Sequence, residues 1–568
     1  MFSASRAAWL AGLLFIVTTI TAWLSLTDQP AKRAYINGKL LSMDDSNRIH
    51  EAVLIENGRI KAVGSNEEVS ILIDKSTLVS DLHGKTMMPG IIDAHGHFPG
   101  SGLRTLTVDL NSPPIGSVHS IAELQKQLEL TRNELENGEW LIGLGYDDTL
   151  LAEGRHPTRA DLDEVSSEHP IFIMHVSGHM GVANSLALEL ANINELSVSP
   201  QGGVIDKDDS GKLSGLLEEN ALKPVQTLAM DFGVLDLLKM VSYAVNEYAS
   251  MGVTTAQSGG VDEAMYTGLR WASRLGLLKS RLVVFPLSDA MGSTMLARPE
   301  EFEEHNSDLF TVGPIKIIAD GSIQGYTGYL SQPYHVQRSN EADSKYRGYP
   351  RVAADELSKQ VSAYHSAGLQ MAVHGNGDAS IDDIISAFDA ALQKTPNADP
   401  RLILIHAQMA RADQLDRLKE LGISPSFFSA HTYYWGDRHS RLFMGPERAS
   451  AMSPAKWAVD RSLPFSIHLD TPVVPMQPFL LVWSAVNRIS SKGQVIGAEQ
   501  RISTLEALRA VTIDAAWQVF QDQNRGSIEN GKWADLIVLS DDPLLNPVAI
   551  KDIQVLETVV GGRTVYAR

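Results

Sequence analysis

The stretch Met88 to Pro99 reads MPGIIDAHGHFP and sets His95 and His97 two residues apart. In a strand successive side chains point to opposite faces, so such a pair presents both imidazoles on one side, where a single metal ion can join them. Asp93 shares that parity. A chance pair on an exposed strand is the alternative, and it stands only if the rest of the chain supplies no matching ligands.

Matching residues are present. Lys316 interrupts the apolar run Ile315 to Ile318, His374 opens HGNGD, His406 closes the aliphatic run RLILIH, and Asp470 precedes Thr471-Pro472. Four imidazoles, a carboxylate and a lysine meeting at one place can hold two divalent ions with positions open for water, the inventory of a hydrolytic site. An ammonium cannot ligate a cation, and its charge is costly to bury in an aliphatic strand. Carboxylation by carbon dioxide would make Lys316 an anionic bridging ligand.

Other readings bear on the same residues. Asp470 fits an Asx-type turn or a general base beside bound metal, and its company favours the base. For His406 the alternative is a core histidine bonded to backbone. Asp378 is expected to cap the helix beginning near Ala379. Asp320 has the parity of Lys316 and is expected to face the same mouth; His468 has that of Asp470, with core packing and site lining equally open. His179, Asp320, His431 and Trp435 are the candidate substrate contacts, the last two in the aromatic segment HTYYW.

These residues need elements that bring them to one rim. Helical patterns alternate with short apolar strands, as in parallel βα units. Eight candidate strands cover 90–94, 253–256, 282–287, 315–319, 369–373, 402–405, 423–427 and 464–467. Each ends near a polar residue, and in a (β/α)8 TIM barrel the C-terminal strand ends build the active site. Roughly 150 residues separate Phe98 from the second strand, too many for a βα loop, so an inserted subdomain over about 100–235 is expected to cover the mouth. Before the barrel, Asn37-Gly38 and Asn57-Gly58 favour hairpin turns in short apolar stretches, and a similar texture returns in Ala534 to Leu539, Val555 to Val560 and Arg563 to Tyr566. The expected α/β architecture is a TIM barrel over 89–515 with a small composite β-sandwich domain made from 31–88 and 516–568.

The composition narrows the function further. Among 568 residues, 48 are basic and 68 acidic, a net charge of -20 that repels nucleic acid and anionic lipid. There is no cysteine, which excludes disulfides, thiolate nucleophiles and a cysteine-linked lipid. From Ala7 to Leu26 the only polar side chains are Thr18, Thr19, Thr21 and Ser25. Such a run, as a helix rising about 1.5 Å per residue, can span a bilayer core of about 30 Å. Residues 1–30 therefore read as a signal peptide or membrane anchor, and the protein as exported, periplasmic or cell-envelope, meeting the membrane only through this segment.

Taken together the motifs resemble the amidohydrolase superfamily, and within it the family 3 branch of N-substituted formamide deformylase-like metal-dependent hydrolases. The resemblance runs through GKTMMPGIIDAHGHFPG, GHMGVANSLAL, IKIIADGSIQG, HGNGD, IHAQM, MGPERA, LDTPVVP and GSIENGKWADLIVL. It implies a divalent metal centre, usually zinc, with His95, His97, carboxylated Lys316, His374 and His406 as ligands and Asp470 as catalytic aspartate. Ile405 and Leu469 stand where the family often has Glu and Ser. The expected activity is hydrolysis of a non-peptide carbon–nitrogen bond in an amide, formamide or cyclic amide, with Asp470 taking a proton from the attacking water and returning it to the departing nitrogen. Ester or lactone hydrolysis on the same centre is the enzymatic alternative; a non-catalytic envelope protein binding a small molecule is the other. The expected partner is a small-molecule substrate; oligomeric state is not legible.

Overall fold

The computed structural model describes residues 31–338 and 343–568; the expected N-terminal anchor lies outside them. Among the described residues no helix is long and apolar enough to cross a membrane.

All eight expected strands are present, as Ile91–Ile92, Val253–Val261, Arg281–Pro286, Ile315–Ile318, Met371–Gly375, Ile403–His406, Ser424–Phe427 and Ser466–Ile467. Parallel strands covered on both faces carry near-continuous apolar runs, which is why segments such as LVVF and LILI announce them. They fall into two parallel sheets. One runs from the added strand Phe310–Val312 through the third and second strands to the first; the other runs in sequence from the fourth to the eighth. A single parallel bridge, Leu287 to Lys316, links the sheets on one side. On the other, His97 N donates to Thr471 O at 2.8 Å and Asp470 N to His95 O at 3.1 Å. The fold is TIM-barrel-like, but the expected closed ladder is not formed: the short first and eighth strands meet through loop backbone beyond their ends.

Helices fill the crossovers. Val234–Ser250, which feeds the second strand, buries Met240, Val241, Ala244, Val245 and Tyr248, the helical spacing of a core-facing stripe. Residues between the first and second strands form a six-stranded mixed sheet, ordered Gly203–Lys207, Leu213–Glu219, Met180–Ala183, Ile171–His175, Leu141–Tyr146 and Val108–Asp109. Apolar clusters separate from that of the main sheets lie on it.

Strands from both ends of the chain share another six-stranded sheet, in which Thr86–Pro89 pairs antiparallel with Leu536–Leu539. Asn57-Gly58 makes the expected hairpin between Ala52–Glu56 and Arg59–Gly64, with φ of 52° and 79°. Asn37-Gly38 does not. Lys32–Ile36 pairs with Ala52–Glu56 and Leu78–Asp81, whereas Lys39–Leu41 crosses to the other sheet and pairs with Ile49–His50 and Thr86–Pro89. The expectation for Asp378 also fails: Gly377 is the N-cap of Asp378–Lys394, and the Asp378 carboxylate accepts from Ser331 and Arg411. Tertiary donors have taken the side chain that a local cap would have used.

Candidate metal centre

The first strand ends at Ile92, so His95 and His97 stand on the turn beyond it rather than in a strand. They still face one another, with ring centroids 5.3 Å apart. His95 is fully buried; the His97 side chain is 41% exposed. Gly259 of the second strand packs flat on the His95 ring, where a Cβ would stand 2.0 Å from Cε1, so any larger residue would displace the imidazole.

Asp470 meets this pair from beyond the eighth strand. Its Oδ1 lies 3.1 Å from Nε2 of His97 and 3.6 Å from Nε2 of His95, and the three ligand atoms all fall within 4.8 Å of one another. Burial raises the Asp470 carboxyl, but the adjacent imidazole of His97, and then that of His95, outweigh it and hold it well below the ordinary carboxylate range. Asp470 and His406 adopt φ of 60° and 72°, the left-handed region that a non-glycine residue occupies only when its surroundings insist.

Lys316, on the fourth strand, is 2% exposed and brings its Nζ to 2.8 Å from Nε2 of His95. Burial lowers its amine to about 7, so a large share is neutral and nucleophilic near neutral pH. His374 and His406, at the ends of the fifth and sixth strands, stack edge-on at 4.5 Å, and His406 lies 5.7 Å from His95. Burial holds His95, His374 and His406 well below the ordinary imidazole value, which keeps their lone pairs available to a cation.

The remaining candidates separate into two groups. Asp320 and His179 reach the imidazoles. Asp320 accepts from the backbone N–H groups of Tyr329, Asn376 and Gly377 and stands 3.1 Å from Nδ1 of His374, orienting that ring. His179 comes down from the inserted sheet, its ring 5.1 Å from His374 and its Nδ1 3.0 Å from buried Glu219. His431 and Trp435 are more remote. The His431 ring lies 4.1 Å from Phe428, which in turn lies 6.3 Å from His406; Trp435 is buried and donates to Asp147 at 3.4 Å. Trp435 lines a water-sized cavity of about 10 Å³ with Ile115, Val176, Tyr434, Asp147 and Arg438.

Sequence reasoning left His468 undecided and missed Glu219. His468 is fully buried against His406, with Nε2 3.1 Å from Nδ1. Parity with Asp470 was its signal; Glu219, forty residues from His179, gave none.

The donor set suits a divalent cation. Asp470 Oδ1 is buried without a hydrogen-bond donor beside two imidazole nitrogens, an arrangement that a shared cation satisfies.

Comparison with known proteins finds hydrolases along most of the chain. The chain is 29% identical to the N-substituted formamide deformylase of Arthrobacter pascens over 94% of its own length and 98% of that protein. It is 27% identical to the YtcJ amidohydrolase of Bacillus subtilis, covering 94% of this chain and all of the relative. An uncharacterised metal-dependent hydrolase of Pyrococcus horikoshii superposes with a TM-score of 0.72 at 25% identity, over 91% of this chain and 99% of that one. The amidohydrolase family model matches residues 78–566, and the chain belongs to the amidohydrolase family.

Proposed function

We propose that the protein hydrolyses a non-peptide carbon–nitrogen bond in an amide, formamide or cyclic amide, using two zinc ions held by His95, His97, Lys316, His374, His406 and Asp470. The observation that carries this reading is the meeting of Asp470 Oδ1 with Nε2 of His95 and His97 beside a buried lysine that has an imidazole, not a carboxylate, as its partner. Support for the bond type comes from the formamide deformylase and amidohydrolase relatives.

Zinc bound there would supply Lewis acidity toward a carbonyl and would acidify a water. Lys316 carries a carbamate, formed when its neutral amine adds to carbon dioxide and releases a proton. Asp470 accepts a proton from the attacking water and returns it to the departing nitrogen. His179, oriented by Glu219, contacts the substrate from the inserted subdomain, and His431 and Trp435 shape the space behind Phe428. Residues 31–88 and 516–568 together form the accessory domain of the barrel, and the apolar run from Ala7 to Leu26 directs the protein to the cell envelope.

Elemental analysis of the full chain, purified without chelators, tests the centre; about two zinc per chain is expected. A panel of formamides, acylated amines and cyclic amides, with esters and lactones alongside, tests the bond. Turnover of lactones alone would move the function to a lactonase. No metal after reconstitution with zinc and bicarbonate would leave a binding protein.

A further inference from the structure

A line of buried polar side chains runs from beneath the barrel to His406 and includes residues that the reaction does not use. Gln518, on the helix Ile513–Gln518, Ser466 on the eighth strand, Ser426 on the seventh and His468 are all buried. Their contacts form one path: Gln518 Oε1 to Ser466 Oγ at 2.5 Å, Ser466 Oγ to Ser426 Oγ at 2.8 Å, Ser426 Oγ to His468 Nδ1 at 2.8 Å, and His468 Nε2 to His406 Nδ1 at 3.1 Å.

The direction of every hydrogen in this path follows from its far end. Gln518 Nε2 lies 3.0 Å from the carbonyl of Pro425, which can only accept, so the amide nitrogen faces Pro425 and the amide oxygen faces Ser466. The same nitrogen meets Ser424 Oγ, whose own hydrogen goes to the carbonyl of Pro464. Ser466 must therefore donate to Gln518. Its hydrogen is then committed, and two hydroxyl oxygens 2.8 Å apart with no hydrogen between them would repel, so Ser426 donates to Ser466. Ser426 is left only lone pairs toward His468, which must donate from Nδ1. Nε2 of His468 then has only a lone pair, and it accepts the Nδ1 hydrogen of His406. Nε2 of His406 is left unprotonated.

We propose that His468 is a positioning residue, and that the chain from Gln518 through Ser466 and Ser426 to His468 locks His406 in the tautomer whose Nε2 can ligate a cation. This rests on the reading of His406 as a metal ligand given above. Were the chain reversed, His468 would donate to His406, whose hydrogen would then occupy Nε2 and block the ligand position. The eighth-strand segment Ser466–Ile467–His468 thus prepares a ligand on the sixth strand as well as delivering Asp470.

The test is zinc affinity of the full-length, chelator-stripped protein, measured by competition with a chromophoric chelator, with circular dichroism to show that each variant folds. Losing an outer partner of a ligating histidine costs roughly 10- to 100-fold in metal affinity. Ser426→Ala and His468→Leu are expected to show that loss at one site and to recover turnover at excess zinc. His468→Gln, which keeps an acceptor within reach of His406, should stay within a few-fold of the parent. Histidine ring ¹⁵N shifts of the metal-free protein give a second readout, in which His406 should carry its hydrogen on Nδ1 in the parent and lose that preference in Ser426→Ala. A parent that binds zinc while Ser426→Ala and His468→Leu bind it equally well overturns the positioning role and leaves the metal centre standing. A parent that binds no zinc overturns the metal centre, and this role with it.

Discussion

Among the described residues two clusters of histidine and carboxylate stand out, and in each the ligand atoms fall within 4.8 Å of one another. One is His95, His97 and Asp470 at the barrel mouth; the other is Asp147, Asp148 and His175 in the inserted sheet. Their surroundings differ. Asp147 is paired with the buried guanidinium of Arg438 and accepts from Thr149, while Asp148 faces His175 at 3.2 Å and His156 at 3.7 Å. The Asp147 charge is already answered by the Arg438 guanidinium and the Thr149 hydroxyl. At the mouth, Asp470 Oδ1 has no donor and the nearby cationic group is a lysine that burial drives toward neutrality. His175 Nε2, like Asp470 Oδ1, is buried without a hydrogen-bond partner, so neither proximity nor an unpartnered atom separates a metal centre from a structural ion-pair network; a guanidinium already bound to one of the carboxylates does.

The largest expected effect that separates the clusters is catalytic. Asp470→Asn should retain metal and lose roughly 10²- to 10⁴-fold in kcat, the range for removing a positioned acid–base group; a fully active variant would sink the assignment. Asp147→Asn should do the reverse. Metal content should be unchanged, while buried Arg438 loses its partner at a cost of about 3–5 kcal/mol in urea unfolding. A fall in metal content would make the inserted cluster a second metal site. Metal removal should cost the parent protein about 2.7 kcal/mol if zinc stood at 100 times its Kd. In Lys316→Ala, where metal content should already be reduced, that loss should shrink; in Asp148→Asn it should persist.

The barrel-mouth residues were legible because each sits at the end of an apolar run or, for Lys316, interrupts one, and a parallel strand buried on both faces is hard to mistake. His95, Lys316, His374, His406 and Asp470 could thus be read before any contact was known. Turn chemistry was less reliable across distance. Asn37 does adopt φ of 57°, as an Asn-Gly turn asks, but local geometry cannot dictate which sheet the next strand joins. The support of the site was silent for a similar reason. Glu219 behind His179, and Ser426, Ser466 and Gln518 behind His468, are polar residues in apolar company whose partners lie on other elements, so nothing in their neighbourhood announces the pairing.

The smallest expected effect sets the two regions against each other by pH. Asp93, beside the mouth, is pushed up to about 7 by burial and then by repulsion from Asp470, with the Tyr248 hydroxyl pulling the other way. The unfolded chain releases that proton near pH 4. Between about pH 4 and 7 this carboxyl holds a proton in the native chelator-stripped protein that it lacks in the unfolded chain, so its contribution to stability falls as pH rises, by at most about 1.4 kcal/mol per unit. Asp147 and Asp148 behave oppositely. Burial raises both, but Arg438 and His175 for the first, and His156 and His175 for the second, outweigh it and leave both depressed. Their contribution is full above the unfolded value and is lost as pH falls below about 4. Buried His95, His374 and His406 pull the other way over the same range, because their imidazoles ionise first in the unfolded chain, so the carboxylate contributions are read as differences between variant and parent in urea midpoints measured from pH 3 to 8. Relative to the parent, Asp93→Asn should gain stability progressively as pH rises from about 4 to 7, and the difference between Asp148→Asn and the parent should shrink as pH falls below about 4; an Asp93→Asn difference that does not change with pH would mean that the proton is held elsewhere.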